Sequence, residues 1–339
     1  MQKPPCFVCK EAERVNRHTL SLAPCGTYGF GLVLAYLRTS PSAIVERLHE
    51  HGFQRALDIG PGVVVEVARE NLYPSEEPLT LTIWGETLTP SLVEVVVAHM
   101  RRMLVLDVDG AVVETHLMIR DPALGSYVQR HRGFRPILLG SPWEALLWAV
   151  VGQLIGVEQA RGIKQRLVDR GGRAVMMGGE FHVPSFPLPP DPSWVITQGI
   201  DVLRAAGLSQ TKSRAIYAAA DAIQHGTLDL SPTLSPADAA AALAQLETIP
   251  GIGPWTTAIV ALRGFGHLEV LPDGDAGLQS FAGRHAIPAR RLTHAELRAW
   301  GERWAPYGGW ATYFWWLQLQ AEALARRAMA ALDEGRSHA

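Results

Sequence analysis

Cysteine is scarce in this chain. Three occur among 339 residues, Cys6, Cys9 and Cys25, all near the N-terminus. No disulfide framework can therefore brace the remainder. Cys6-x-x-Cys9 with His18 and Cys25 offers four donors of the kind that bind zinc. The spacing fits no standard zinc knuckle, and inert free thiols are the competing reading. Long apolar runs are missing too: no stretch approaches the roughly 18 residues a membrane span needs. The opening MQKPPCFVCK lacks the apolar core of a signal peptide. A soluble, cytoplasmic protein with no membrane partner is expected. Charge of one sign is absent as well. With 31 Lys and Arg against 33 Asp and Glu, the net charge is −2, so no global basic field marks a nucleic-acid binder. Any such binding has to use local charge or backbone amides. What is present is apolar mass, 47% of residues, enough for a sizeable core. The length suits two domains or one large one.

Residues 1–23 have no period and read as a leader. Residues 24–139 are mixed. Gly62-Val-Val-Val-Glu-Val-Ala is a strand candidate, and Leu79-Thr-Leu-Thr-Ile-Trp84 alternates as a half-buried strand does. Pro90 opens a helix to about Leu106, with Leu92, Val96, Met100 and Met103 on one stripe. Helices on one face of an antiparallel sheet make an α+β domain. From residue 140 to 333 the pattern is helical. Ser141-Pro142-Trp143-Glu144 reads as an N-cap, a first-turn proline and a capping box. The helix from Trp143 to about Val151 is interrupted by Gly152-Gln153-Leu154-Ile155. A second, Val157 to Leu167, carries Arg161, Lys164 and Arg166. Residues 171–193 form a Gly/Pro-rich loop. Ser193 and Ser209 precede helices ending near Gly207 and Gly226. Ser235-Pro236 and Thr293-x-x-Glu296 start others, and Trp310 to Leu332 is a long final helix before a tail at 334–339. No strand is expected after residue 140.

The stretch Leu246 to Asp275 organises this second half. Pro250-Gly251-Ile252-Gly253 is a tight turn between two helical patterns. Glycines at 251 and 253 let backbone amides approach an outside group. Those amides lie at a helix N-terminus, where donors lack partners and the dipole favours an anion such as phosphate. The plain alternative is an ordinary turn between two helices.

The longer pattern is Leu246-x-x-Ile249-Pro-Gly-Ile-Gly, then Trp255-Thr-x-Ala258, then a Pro/Gly loop ending at Asp275. It closely resembles the helix-hairpin-helix DNA glycosylases. The tryptophan after the hairpin and the Leu-Pro-Asp loop are most similar to the 3-methyladenine DNA glycosylase II branch. The Asp-rich turn Leu106-Asp107-Val108-Asp109 and the later Asp121-Pro122-Ala123-Leu124 resemble that branch too, as does an N-terminal α+β domain. The four-cysteine cluster of the iron–sulfur glycosylases is absent. The resemblance implies an α+β N-terminal domain (24–139), an antiparallel sheet with helices. An all-α helix-hairpin-helix domain of two lobes (140–333) follows, with a cleft between the lobes. It also implies excision of alkylated purines from double-stranded DNA in base excision repair, by a monomer with no required cofactor.

Site residues follow from the same resemblance. Asp275 matches the catalytic acid, whose carboxylate stabilises the oxocarbenium-like sugar and orients water. Read without it, Asp275 is more simply an N-cap for the helix through Phe281, with Asp273 as a near rival. The Schiff-base lysine of bifunctional members is replaced by Trp255, which implies no strand cleavage. Leu154, preceded by Gln153, matches the wedge that fills the vacated stack; a core leucine at a helix break is the alternative. Trp255 and Tyr307 match positions lining the base pocket, where aromatic faces attract a cationic base. Ala276 departs from the tyrosine of the better-known pattern, which implies a wider pocket. Gly251 and Gly253 match the phosphate grip. The carbonyls of Glu247, Ile249 and Ile252 match a monovalent cation site, for sodium or potassium.

Rival functions remain. One is a non-catalytic hairpin module that binds damaged or structured DNA, and another is a glycosylase for deaminated or oxidised bases. A third is a phosphatase of the haloacid-dehalogenase type, suggested by Leu104-Val-Leu-Asp107-Val-Asp109-Gly110. That chemistry needs a strand there, whereas the preceding residues read as helix.

Overall fold

The computed structural model describes residues 15–40, 43–177, 185–285 and 288–337. The N-terminal part builds a five-stranded antiparallel sheet, in the order β1-β5-β4-β3-β2. Its strands are β1 (Asn16–Leu22), β2 (Arg47–Leu48), β3 (Gly52–Leu57), β4 (Val63–Ala68) and β5 (Leu79–Gly85), with helix α1 (Phe30–Thr39) between β1 and β2. Alternation explains the burial. Val63, Val65, Val67, Leu79, Leu81 and Ile83 enter one core, while Ala56, Val64 and Trp84 enter another on the opposite face.

The supposed leader is corrected here. Its residues 16–22 are the edge strand β1, paired with β5 from Asn16↔Gly85 to Leu22↔Leu79. An edge strand facing water on one side is mostly polar, which hid it. Cys6 and Cys9 lie outside the described residues, and Cys25 is an exposed free thiol.

Helices α2 (Pro90–Met103), α3 (Gly110–Arg120) and α4 (Pro122–Arg130) follow. The helix opened by Pro90 stops at Met103, capped by Thr89. Residues 104–107 are a turn, not a strand, with Val105 at φ 52°. Asp109 caps α3 through the Ala111 amide. The phosphatase geometry is therefore excluded. Asp121 caps α4 and accepts the indole N–H groups of Trp300 and Trp304 at 3.1 and 2.8 Å. The Asp-Pro motif is thus structural.

Next come α5 (Pro142–Gly152), α6 (Val157–Gly171), β6 (Ala174–Met176), β7 (Ser185–Pro187), α7 (Pro192–Ala205), α8 (Gln210–Gln224), α9 (Pro236–Leu246) and α10 (Pro254–Val260). The last helices are α11 (Ala276–Ala282), α12 (His294–Gly301) and α13 (Gly308–Ser337). Strands β6 and β7 correct the expectation of no strand after residue 140. They pair within the Gly/Pro-rich stretch and seal the sheet's second face, where Phe186 packs with Ala56, Val64 and Trp84. Helix α7 is capped by Asp191, not Ser193.

Ser141 caps α5 as expected, but Glu144 does not close the box. Its carboxylate accepts from the Gly140 amide, the Trp148 indole and Arg55 of β3 instead. Arg55 also pairs with Glu46 at 2.7 Å, and all three groups are buried. A buried pair of this kind fixes geometry more than it stabilises, because desolvation offsets the attraction. It joins the sheet to the helical region.

The core does not follow the expected 139/140 boundary. One cluster unites the sheet and α1–α4 with Leu278, Phe281, Trp304, Trp310, Trp315 and neighbours from the C-terminal helices. Tyr36 meets Phe134 and Tyr313 at ring separations of 5.9 and 5.7 Å, and the Tyr313 hydroxyl donates to the Ile137 carbonyl. A second cluster is built by α5 to α10. The two lobes are therefore made by a middle segment and by the two ends of the chain together.

Candidate active site

The hairpin joins α9 to α10 at the edge of the second lobe. Gly251 has φ 95°, a conformation that side chains resist, so glycine is required there. Gly253 differs. Its backbone is extended, and a Cβ built on it meets nothing within 4 Å. Its missing side chain matters only to a group outside the chain. Gly253 caps α10 without a side-chain bond. Among the described residues, the amides of Gly251 and Gly253 make no backbone hydrogen bond. These are the free donors an anion needs. The Ile249 carbonyl accepts the Ile252 amide at 3.0 Å, whereas those of Glu247 and Ile252 accept no backbone amide among the described residues. Oxygen donors of this kind suit a hard monovalent cation. The Glu247 side chain is engaged by the Thr257 hydroxyl, which ties the two hairpin helices together.

Asp275 sits at the far end of the following loop. It caps α11, accepting the Leu278 amide on Oδ1 at 2.8 Å. Cap and candidate acid are thus one residue. Asp275 is half-buried as a residue, and its carboxyl is densely surrounded. Burial raises its pKa; the amides of Leu278 and Gly277 and the indoles of Trp255 and Trp316 pull it back in part. The Trp255 N–H is buried with no partner in hydrogen-bond geometry, so it acts on Asp275 as a nearby dipole. Asp273 is otherwise occupied: Arg298 pairs with its carboxylate at 2.6 Å, and its carbonyl accepts from Gln279.

Trp255 follows the hairpin on α10 and lies against the acid's loop. A Cβ at Gly274 would stand 3.0 Å from the Trp255 Cβ. Trp316 of α13 was not singled out from sequence, because it reads as one of many core tryptophans. It is half-buried beside Asp275, with the Arg263 guanidinium 5.8 Å from its ring centre. Tyr307 stands further along. Its ring meets His116 edge-on at 5.2 Å, and its neighbour Gly308 packs on Leu271 at the start of the acid's loop. The structure thus brings Asp275, Trp255 and Trp316 together, with Tyr307 beside the loop that carries the acid.

Leu154 answers the wedge question in an unexpected way. It is 104% exposed, with φ 54°. A left-handed leucine costs about 1–2 kcal/mol, and leaving its side chain in water forgoes about 1.5–3 kcal/mol of burial. The core alternative is excluded. Gln153, the other residue of the expected wedge, is held differently. It is half-buried, and its amide donates to the Gly251 carbonyl and the Thr256 hydroxyl, each at 2.9 Å. Through that one side chain the residue before the exposed leucine is tied to the hairpin and to the helix that carries Trp255.

A cavity of about 430 Å³ opens elsewhere, between β3, α2 and the start of α5. Asp275, Trp255 and Leu154 do not line it.

No protein-family model matches the chain. Named relatives do. The chain is 28% identical over 305 residues to DNA-3-methyladenine glycosylase 2 of Escherichia coli, covering 88% of this chain and 96% of that one. It is 30% identical over 309 residues to the bifunctional transcriptional activator/DNA repair enzyme AlkA of Mycobacterium tuberculosis, of whose length it spans 57%. Among solved structures, 3-methyladenine DNA glycosylase from Archaeoglobus fulgidus shares the fold at TM-score 0.71 and 21% identity, covering 90% of this chain and 98% of that one. The chain is thus similar along most of its length to DNA-3-methyladenine glycosylase 2 and shares the fold of the archaeal glycosylase.

Proposed function

We propose that this chain excises alkylated purines of the 3-methyladenine and 7-methylguanine kind from duplex DNA by hydrolysing the N-glycosidic bond in base excision repair. The observation that carries the mechanism is the Asp275 carboxylate. It is held at a helix N-terminus near two indoles, on a half-buried residue. In this reading the hairpin amides grip a phosphate, Leu154 fills the hole left by the extruded nucleotide, and the damaged base enters beside Trp255, Trp316 and Tyr307. An alkylated purine already carries positive charge. As C1′–N cleaves, the base takes the bonding pair and leaves neutral, and the positive charge passes to the sugar. Asp275 faces that charge in surroundings of low polarity, where a fixed carboxylate is worth more than in water. Water then adds to C1′ and gives up a proton.

Ala276 leaves the pocket wide, which suits bulky methylated purines needing little hydrogen-bond readout. A monovalent cation on the carbonyls of Glu247, Ile249 and Ile252 would add positive charge beside the gripped phosphate. Trp255 stands where a Schiff-base lysine would be needed, so water is the final nucleophile and the DNA strand stays intact.

The test is incubation of purified protein with methylated duplex DNA, with released bases identified by chromatography and borohydride added in parallel. Release of 3-methyladenine and 7-methylguanine without a trapped covalent adduct is expected. No release by the wild type removes the proposal, and a trapped adduct removes the monofunctional part.

A further inference from the structure

Lys212, in the first turn of α8, reaches across to the end of α5. Its ammonium donates to the carbonyls of Val151 at 3.0 Å and Gln153 at 2.6 Å. Carbonyls at a helix C-terminus lack helical partners, and a cation is favoured there. The Gln153 side chain continues the link to the Gly251 carbonyl and the Thr256 hydroxyl. Helix α8 also touches the hairpin directly: a Cβ at Gly251 would lie 3.2 Å from the Ala215 Cβ and 3.3 Å from the Thr211 Cγ2. Three elements thus close a triangle. The α5 end carries Leu154, the hairpin carries the free amides, and α8 is fastened to both.

We infer that Lys212 is a positioning residue that holds the Leu154 wedge at a fixed offset from the hairpin's phosphate grip. The inference rests on the base-flipping reading above. An inserted wedge is pushed back by the base stack it parts. Leu154 has no packing of its own to resist that push, since its side chain is fully exposed. Resistance has to come through the backbone on either side, and Lys212 restrains that backbone immediately before Leu154. The Gln153–Thr256 link passes the load to the hairpin, which is anchored on the strand. Grip and wedge then move as one piece. A lysine committed to two carbonyls is not a phosphate contact, so it should leave the salt dependence of binding unchanged.

The experiment compares wild type, Lys212→Met and Lys212→Arg on methylated duplex and on the same strand without its complement. Lys212→Met should lower kcat on duplex by about ten- to hundredfold, the loss of a charged hydrogen-bond pair, and far less on single strand, where no stack has to be parted. Lys212→Arg, which also offers two donors, should recover most of the loss. Equal losses on the two substrates overturn the inference. So does a drop of about one in the salt slope of duplex binding, the mark of a lost phosphate contact. If Lys212→Met does not fold, Gln153→Ala cuts the next link, from the α5 end to the hairpin, and is judged by the same comparison. A second readout needs no catalysis: 2-aminopurine beside an abasic-site analogue brightens when a wedge unstacks it. Wild type bright and Lys212→Met dim supports the inference even if no methylated base is released. Equal brightness ends it.

Discussion

Arg298 grips Asp273 and not Asp275. Its Nε and Nη2 lie 2.7 and 2.6 Å from the Asp273 carboxylate, while Asp275, two residues on, faces an amide and two indoles. The loop thus separates a structural acid from a candidate catalytic one. Asp275→Asn should lower excision by about a hundred- to thousandfold or more, as loss of a main electrostatic stabiliser does, while binding to abasic-site DNA survives. Asp273→Asn removes a pair whose arginine is largely exposed, and should shift stability by at most about 1 kcal/mol. Excision and binding assays on the two variants check this; normal excision by the Asp275 variant ends its assignment.

The pH dependence follows from the same carboxylate. Burial holds the Asp275 pKa above its ordinary value. The reactive form is ionised, so kcat/KM should fall on acidification with an apparent pKa above the usual Asp value of about 3.9. The linkage to stability has the opposite sense. A raised folded pKa means that the ionised group opposes folding. That penalty is fully present above the folded pKa and fades as pH drops toward the unfolded value. Asn keeps the cap and carries no charge, so Asp275→Asn should raise Tm at neutral pH while excision is lost. Calorimetry at neutral pH and in acid, where the gain should shrink, measures both signs.

Leu154→Ala should leave Tm unchanged or slightly higher, because a left-handed, fully exposed leucine contributes nothing to the core. Excision from fully paired duplex should drop by about tenfold or more, and much less where the lesion is mispaired, since unstacking is then easier. Paired rates on the two substrates decide; equal loss removes the wedge.

The hairpin glycines should behave differently. Gly253→Val adds a side chain into open space, so the fold should be untouched and duplex affinity should fall by about 1–3 kcal/mol as a charged hydrogen bond is blocked. Gly251→Val forces a β-branched residue to φ 95° against Ala215 and Thr211, and should destabilise by about 1–3 kcal/mol. Denaturant melts and a salt-controlled binding titration separate the two effects.

Much of the site was legible because its signals are local. A glycine turn, a capped helix start and an acid at a fixed offset are written within the span from Leu246 to Asp275. Helices with caps were equally plain: Ser209, Ser235 and Thr293 each cap the helix expected. What sequence concealed was long-range. β3 carries Arg55 on its core face, which breaks apolar alternation and makes sense only with Glu144 across the lobe junction. β6 and β7 are too short to show a period. Their apolar residues are explained by the sheet face they cover. Lys212 is an ordinary helix lysine until α5 ends beside it, and Trp316 is one tryptophan among ten until Asp275 is placed. The shared core was hidden for the same reason, because composition cannot reveal that distant segments pack together.

That shared core bears on how the chain is made. During translation the middle lobe, α5 to α10, is complete while the sheet and α1–α4 still wait for Trp310, Tyr313 and Trp315. The earliest segments therefore mature last. Trimming the first 139 residues to obtain a minimal catalytic fragment would strip the C-terminal tryptophans of their lining and leave the acid without a stable seat.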